Sequence, residues 1–285
     1  MFRFAAAALL LLIACSHQSE ESFVPKLEGP ATRAVVIGPS TAATLAAFGI
    51  SKQVVGVSDY CSDPAFAHLP RVGGQHDPSL ERIAALQPDL VLVQGASPSL
   101  QEWCSKSQIT FQNFRTDSWA GWLREVEVLG ELFGKKEQAT QLRKEAQSKL
   151  NRVSGTTKVS PTVLLVVGRR KGEASGLVVA GAASFLSELL VVAGGKNAAG
   201  ENARDYFDLN EESLLRLAPE VVLEFLPPDN RTQELWRKAY PNIPAVRNGR
   251  VWPVTEAWAV EPGPRMPDTA ALLADLLDSA VIMAR

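Results

Sequence analysis

Short runs of consecutive aliphatic residues recur along the chain: Ala34-Val35-Val36-Ile37, Val54 to Val57, Leu90-Val91-Leu92-Val93, Val163 to Val167 and Val221 to Glu224. Their apolar positions are continuous rather than alternating, which predicts parallel strands covered on both faces. Helical patterns lie between them: Thr41 to Phe48 closed by Gly49, Leu80 to Leu86, Ala183 to Val192, and a last helix from about Asp268 to Met283. Trp119 to Leu150 holds no proline and is rich in Leu, Glu, Lys, Gln and Ala. It reads as one long helix of roughly 45–50 Å, irregular at Gly130 and Gly134. The expected architecture is α/β, with two Rossmann-like lobes of mostly parallel sheet joined by one long α-helix. On this reading residues 31–117 form an N-terminal lobe, 118–152 the linking helix and 153–285 a C-terminal lobe.

The two lobes repeat a pattern. Asp77, Glu81, Pro88 and the run from Leu90 have counterparts in Asp208, Glu212, Pro219 and the run from Val221, every pair 131 positions apart. In each copy a carboxylate opens a helix, a second one sits four residues on, and proline stops the helix before a buried strand. Caps and stops alone would explain the Asp and the Pro. They do not require the inner Glu, which points to two related lobes.

The N-terminus departs from this pattern. Arg3 precedes an apolar run from Phe4 to Ala14, too short to span a bilayer and of the size of a signal-peptide hydrophobic region. The run ends in Leu12-Ile13-Ala14-Cys15 before a polar stretch, which resembles a bacterial lipobox. That resemblance implies a signal peptide over 1–14, lipidation of Cys15 and a tether over 15–30. The expected place is the cell envelope, as an exported lipoprotein held to a membrane by its lipid anchor.

Composition narrows the chemistry. A formal net charge of -2 gives no basic surface for nucleic acid, and no nucleic-acid partner is expected. Three cysteines are too few for a disulfide framework; with Cys15 assigned to lipid, Cys61 and Cys104 stand as a candidate disulfide or as two thiols. No G-x-S-x-G, Walker A or H-E-x-x-H motif is present, so no catalytic residues are expected. His17, His68 and His76 are the whole histidine supply and none lies in the second lobe, which argues against a bound free metal ion. Trp119 and Trp122 read as core anchors, Trp252 as packing, and Trp236 as part of a surface helix.

Three stretches then carry a resemblance: Val57-Ser58-Asp59-Tyr60-Cys61-Ser62-Asp63-Pro64, Leu69-Pro70-Arg71-Val72-Gly73-Gly74, and Leu80-Glu81-Arg82-Ile83-Ala84-Ala85-Leu86-Gln87-Pro88-Asp89. With Ala193-Gly194-Gly195-Lys196-Asn197 and Pro262-Gly263-Pro264-Arg265, they resemble the periplasmic substrate-binding proteins of vitamin B12 and iron-siderophore ABC importers, the cobalamin-binding members most of all. The resemblance implies the helical-backbone solute-binding fold, a monomeric receptor and an ABC permease dimer as partner. It also implies a small-molecule ligand, a corrinoid or a metal chelate, taken as cargo with no resident cofactor. Ferric siderophore or haem is the alternative ligand, and a surface signalling or adhesion lipoprotein without transport is the alternative of another class.

Ligand contacts are expected where strands end and loops begin. The candidates are Tyr60, Gly74, Gln75 and Gln94 in the first lobe, and Tyr206, Phe207, Trp258 and Arg265 in the second. Gln75, Gln94 and Tyr206 stand where vitamin B12-binding members commonly place tryptophans, a departure from their pattern. Glu81 and Glu212 match by position the glutamates that the family presents, one per lobe, to arginines of the permease.

Overall fold

The computed structural model describes residues 27–153, 160–227 and 231–282. The expected signal peptide, Cys15 and the expected tether as far as Lys26 lie outside the described residues. In the first lobe the order is β1 (Ala34–Ile37), α1 (Pro39–Ala47), β2 (Val54–Val57), α2 (Leu80–Ala85), β3 (Leu90–Gln94), α3 (Pro98–Lys106) and β4 (Thr110–Phe114). The four strands form an all-parallel sheet in the order β2-β1-β3-β4.

Two helices follow, α4 (Trp119–Leu132) and α5 (Lys136–Val153). The second lobe then runs β5 (Thr162–Gly168), β6 (Leu177–Ala180), α6 (Phe185–Val192), β7 (Lys196–Asn197), β8 (Tyr206–Leu209), α7 (Glu211–Leu217), β9 (Val221–Glu224), α8 (Thr232–Ala239), α9 (Pro244–Arg247), β10 (Val251–Pro253) and α10 (Met266–Ile282). Its sheet has the order β10-β9-β5-β6-β8, with β7 alongside β5. Strands β10, β9 and β5 are parallel, while β6 pairs antiparallel with both β5 and β8.

The helix expected over 118–152 is divided. Gly134 takes a φ of 64°. The Lys135 and Gly134 amides donate to Gly130 O and Glu131 O at 2.7 and 3.2 Å, the paired bonds that end a helix on a left-handed glycine. The chain then turns back. Trp119 Nε1 donates to Gln147 Oε1 at 3.3 Å, Arg143 Nη1 reaches Glu127 Oε2 at 3.4 Å, and a Cβ on Gly130 would stand 2.5 Å from that of Ala139. The two helices are therefore an antiparallel pair, and α5 alone, 18 residues or about 27 Å, leads into the second lobe.

The repeat extends to backbone detail. Residues Ser79 and Asn210, not Asp77 and Asp208, are the N-caps; their side-chain oxygens accept from Arg82 N and Ser213 N at 3.3 and 2.8 Å. Gln87 and Ala218 close the two helices with φ of 46° and 43°. After the buried prolines, Asp89 Oδ2 and Glu220 Oε2 accept from the backbone amides of Thr32 and Thr162 at 2.8 and 2.7 Å, fixing the start of β1 and β5. Asp208 instead lies within β8, and Asp77 in the turn that follows Gly73.

Apolar residues of both lobes share one core. Val36 and Leu92 of the first sheet, Trp122 and Leu150 of the helix pair, Leu165 and Phe185 of the second lobe and Leu273 of α10 belong to a single buried cluster. A continuous apolar junction resists relative movement of the lobes. Cys61 packs in this cluster, whereas Cys104 packs with Val35, Ile37 and Val93 on the opposite face of the first sheet. Both cysteines are free, so the candidate disulfide does not form. Burial pushes the Cys104 thiol up to about 12 and also raises that of Cys61, which keeps both protonated.

Trp236 is fully buried rather than part of a surface helix, and its Nε1 donates to Glu224 Oε1 at 2.7 Å. The same carboxylate accepts from Arg169 Nε at 3.0 Å and Thr232 Oγ1 at 3.1 Å. Removing one side of such a buried pair leaves the other charge without compensation. Glu224→Ala is expected to lower the unfolding free energy by about 3–5 kcal/mol in urea denaturation. A loss below about 1 kcal/mol would place this cluster with ordinary surface pairs.

Candidate ligand-binding cleft

Parallel register brings the carboxyl ends of β1, β3 and β4 to one edge, where Ile37 pairs with Val93 and Gln94 with Phe114. Loops leaving that edge form one wall of a cleft of about 740 Å³: Gln75, Gln94, Gly95, Ala96 and the segment Asn113 to Asp117. Val167 near the end of β5, Phe185 opening α6, Tyr206 opening β8, and Val260 with Pro262 before α10 form the other wall. The volume suits a small-molecule ligand held between two lobes.

The first wall is polar because two glutamines are latched together. Gln75 Nε2 donates to Gln94 O, and Gln94 Oε1 accepts from Ser40 N at 3.3 Å. This leaves Gln94 Nε2 as a donor and Gln75 Oε1 as an acceptor. Glycine makes the latch possible at two positions. Gly38 has a φ of 145° and a Cβ there would stand 2.4 Å from Gln94 Cβ; Gly95 has a φ of 88° and a Cβ there would stand 2.8 Å from Gln75 Nε2.

Charge in the cleft is modest. Arg115 Nη2 stands 3.5 Å from Asp117 Oδ2, with both side chains substantially exposed, so the pair is weak. Thr116 is buried at the same edge, and its hydroxyl has no hydrogen-bond partner. Tyr206 faces the cleft from the second lobe. Loss of water around its hydroxyl, and then the charges of Asp205 and Asp117, raise its pKa, so the phenol stays protonated.

Of the ligand contacts expected from sequence, Gln75, Gln94 and Tyr206 meet in this cleft and the others do not line it. Tyr60 is 73% exposed on a loop tied down by Arg71, whose Nη1 donates to Ser58 O and Cys61 O at 3.1 and 2.8 Å. Gly74 is buried beneath it, where a Cβ would stand 3.5 Å from the Tyr60 ring and 2.3 Å from Asp77 Oδ1. Phe207 follows Tyr206 on β8, so it points to the opposite face and packs on the outer core of the second sheet. Arg265 stacks 3.8 Å above the Trp258 ring and its Nε stands 3.5 Å from Asp268, so both residues are engaged with each other.

Sequence reasoning missed the segment Asn113 to Asp117, and also Val167, Phe185, Val260 and Pro262. The β4 stretch Thr110-Phe111-Gln112-Asn113-Phe114 has no aliphatic run, so its strand end was not recognised. Glu81 and Glu212 lie exposed in the first turns of α2 and α7, away from the cleft. Among the described residues no group of three or more His, Cys, Asp and Glu could hold a metal ion.

The model of the periplasmic binding protein family matches residues 35–256. The high-affinity heme uptake system protein IsdE of Staphylococcus aureus is 24% identical over 206 residues, covering 67% of this chain and 68% of IsdE. Two solved structures share the fold. The periplasmic heme-binding protein BhuT in complex with two hemes has a TM-score of 0.74 at 23% identity, covering 89% of this chain and 100% of BhuT. The periplasmic vitamin B12 binding protein BtuF of Vibrio cholerae has a TM-score of 0.74 at 21% identity, covering 88% and 98%. With the family model spanning both lobes and the cleft between them, the chain belongs to the periplasmic binding protein family, the solute receptors of ABC importers.

Proposed function

We propose that the protein captures cobalamin or a related corrinoid and delivers it to an ABC importer, held at the membrane through lipidated Cys15. The observation that carries the ligand is the amide character of the cleft. Gln75, Gln94 and Asn113 line one wall, opposite Val167, Phe185, Val260 and Pro262. A corrinoid has a flat macrocycle fringed with carboxamides, and the donor of Gln94 with the acceptor of Gln75 complements such a group. Haem presents two carboxylates and an iron that takes axial ligands. Against these the lining offers, among the described residues, one cation, Arg115, beside Asp117, and no His, Cys or Met.

A second reading, a haem or ferric siderophore receptor, is favoured by Tyr206, whose phenol lines the cleft, and by the similarity to IsdE and BhuT. Calorimetric titration of the soluble part with cyanocobalamin, haemin and a ferric hydroxamate separates the two. Cyanocobalamin is expected to bind with a Kd of about 1 μM or tighter. Heat with haemin or the ferric chelate and none with cyanocobalamin would replace the first reading by the second.

We further propose that Glu81 and Glu212 form the permease-docking pair. Neither has an ion-pair partner among the described residues, and exposed Leu80 and Leu215 stand on the same two helices.

A further inference from the structure

A second cavity of about 320 Å³ adjoins the cleft in the C-terminal lobe. Phe225, Leu226 and Pro227 line it from the end of β9, and Val254 to Ala257 line it from the end of β10. These strands are parallel neighbours, so the cavity sits at a carboxyl edge, where open α/β sheets take ligands. Val260 lines both this cavity and the main cleft. Val260 is thus the residue at which the cleft and the side cavity meet.

Its chemistry differs from that of the cleft. Phe225 and Val254 form a buried apolar floor, Pro227 and Val260 flank it, and the side-chain polar groups are the Thr255 hydroxyl and acidic Glu256. Among the described residues no Lys, Arg or His lines it, so phosphate or carboxylate would meet Glu256 with no compensating charge from them. The walls suit a flat, uncharged ring system. The floor is also fixed before any ligand arrives. Phe225 N donates to Val166 O at 2.8 Å, Val254 N donates to Glu224 O at 2.7 Å, and Glu224 itself is held by Arg169, Thr232 and Trp236. A preformed pocket spares the ligand an ordering cost.

We propose that this side cavity is a second subsite, which receives a planar heteroaromatic group carried by the ligand; for a corrinoid this is the nucleotide base, while the amide-fringed macrocycle stays against Gln75 and Gln94. The assignment rests on the corrinoid reading, and the test keeps the two apart. Cyanocobalamin and dicyanocobinamide share the macrocycle and its amides, but only the first carries the nucleotide base. The wild type is expected to bind cyanocobalamin at least about tenfold more tightly than dicyanocobinamide, a difference of about 1.4 kcal/mol. Ala257 is exposed at the rim, so Ala257→Trp fills the cavity from outside without disturbing the core. That variant is expected to bind cyanocobalamin only as well as dicyanocobinamide, and to keep its affinity for dicyanocobinamide within about twofold, which also reports an intact fold. Equal wild-type affinity for the two corrinoids, or a variant that weakens both alike, overturns the subsite and leaves the corrinoid reading standing. Binding of neither corrinoid by the wild type overturns both.

Discussion

Glu125→Gln is expected to stabilise the protein by several kcal/mol at pH 8 and to flatten its stability between about pH 5 and 8. Glu125 lies on α4 with 1% exposure, and neither carboxylate oxygen has a hydrogen-bond partner. The Thr41 hydroxyl on α1 is near enough to offset a little of the cost but falls short of a hydrogen bond. Among the described residues no cation compensates: α1 carries no charged residue, and Arg143 of α5 is turned to Glu127. Burial therefore pushes the Glu125 carboxyl from its ordinary 4.5 up to about 8. In the unfolded chain the group loses its proton near 4.5, while in the folded protein it holds the proton until about 8. Between those values the unfolded state binds fewer protons, so stability falls as pH rises and levels off above about 8. At about 1.4 kcal/mol per pH unit, the cost at pH 8 is on the order of 3–5 kcal/mol. Glutamine keeps the shape of the protonated acid without that liability. Urea denaturation at pH 5, 6.5 and 8 should show the wild type losing stability across the series and the variant holding level. Parallel profiles for the two proteins would mean that Glu125 is ionised in the fold and compensated.

The aliphatic runs made much of the fold legible. β1, β2 and β9 fall where the sequence placed them, because a strand buried on both faces has no polar position to blur its ends. β4 was invisible for the opposite reason: Gln112 and Asn113 face the outside and the cleft mouth, so its pattern imitates a loop. The linking helix misled because propensity is summed over a window, whereas Gly134 acts at one position by ending the helix in a left-handed turn. Trp236 sits among Glu234, Arg237 and Lys238 in sequence, and its partner Glu224 is twelve residues away on another element. The cleft residues show the same division. Gln75, Gln94 and Tyr206 follow from strand ends and loops, whereas Phe207 was assigned to the ligand although strand alternation turns it to the face away from the cleft. Trp258 and Arg265 were assigned to the ligand but do not line the cleft, and their stacking on one another is tertiary information that no local pattern encodes.

Loss of uptake without loss of ligand affinity is the outcome expected of Glu81→Ala combined with Glu212→Ala. The structure removes the main competing role for these residues. Ser79 and Asn210 already cap α2 and α7, so the glutamates add only the favourable dipole contribution, about 0.3–1 kcal/mol each. Both are exposed and lie away from the cleft, and Ile83 and Leu214, which anchor the two helices to the outer cores, are untouched by the substitution. The equivalent caps, left-handed helix ends and carboxylate clamps give the two glutamates matching local surroundings, one in each lobe. A symmetric permease dimer would meet one acid per half. Rim charges of this kind set encounter rate and orientation more than the affinity of a distant site. The double variant should therefore bind cyanocobalamin within about twofold of the wild type while transport by cells carrying it is abolished. If ligand affinity falls along with uptake, the two glutamates act through the cleft or the fold; if uptake persists, the permease docks elsewhere.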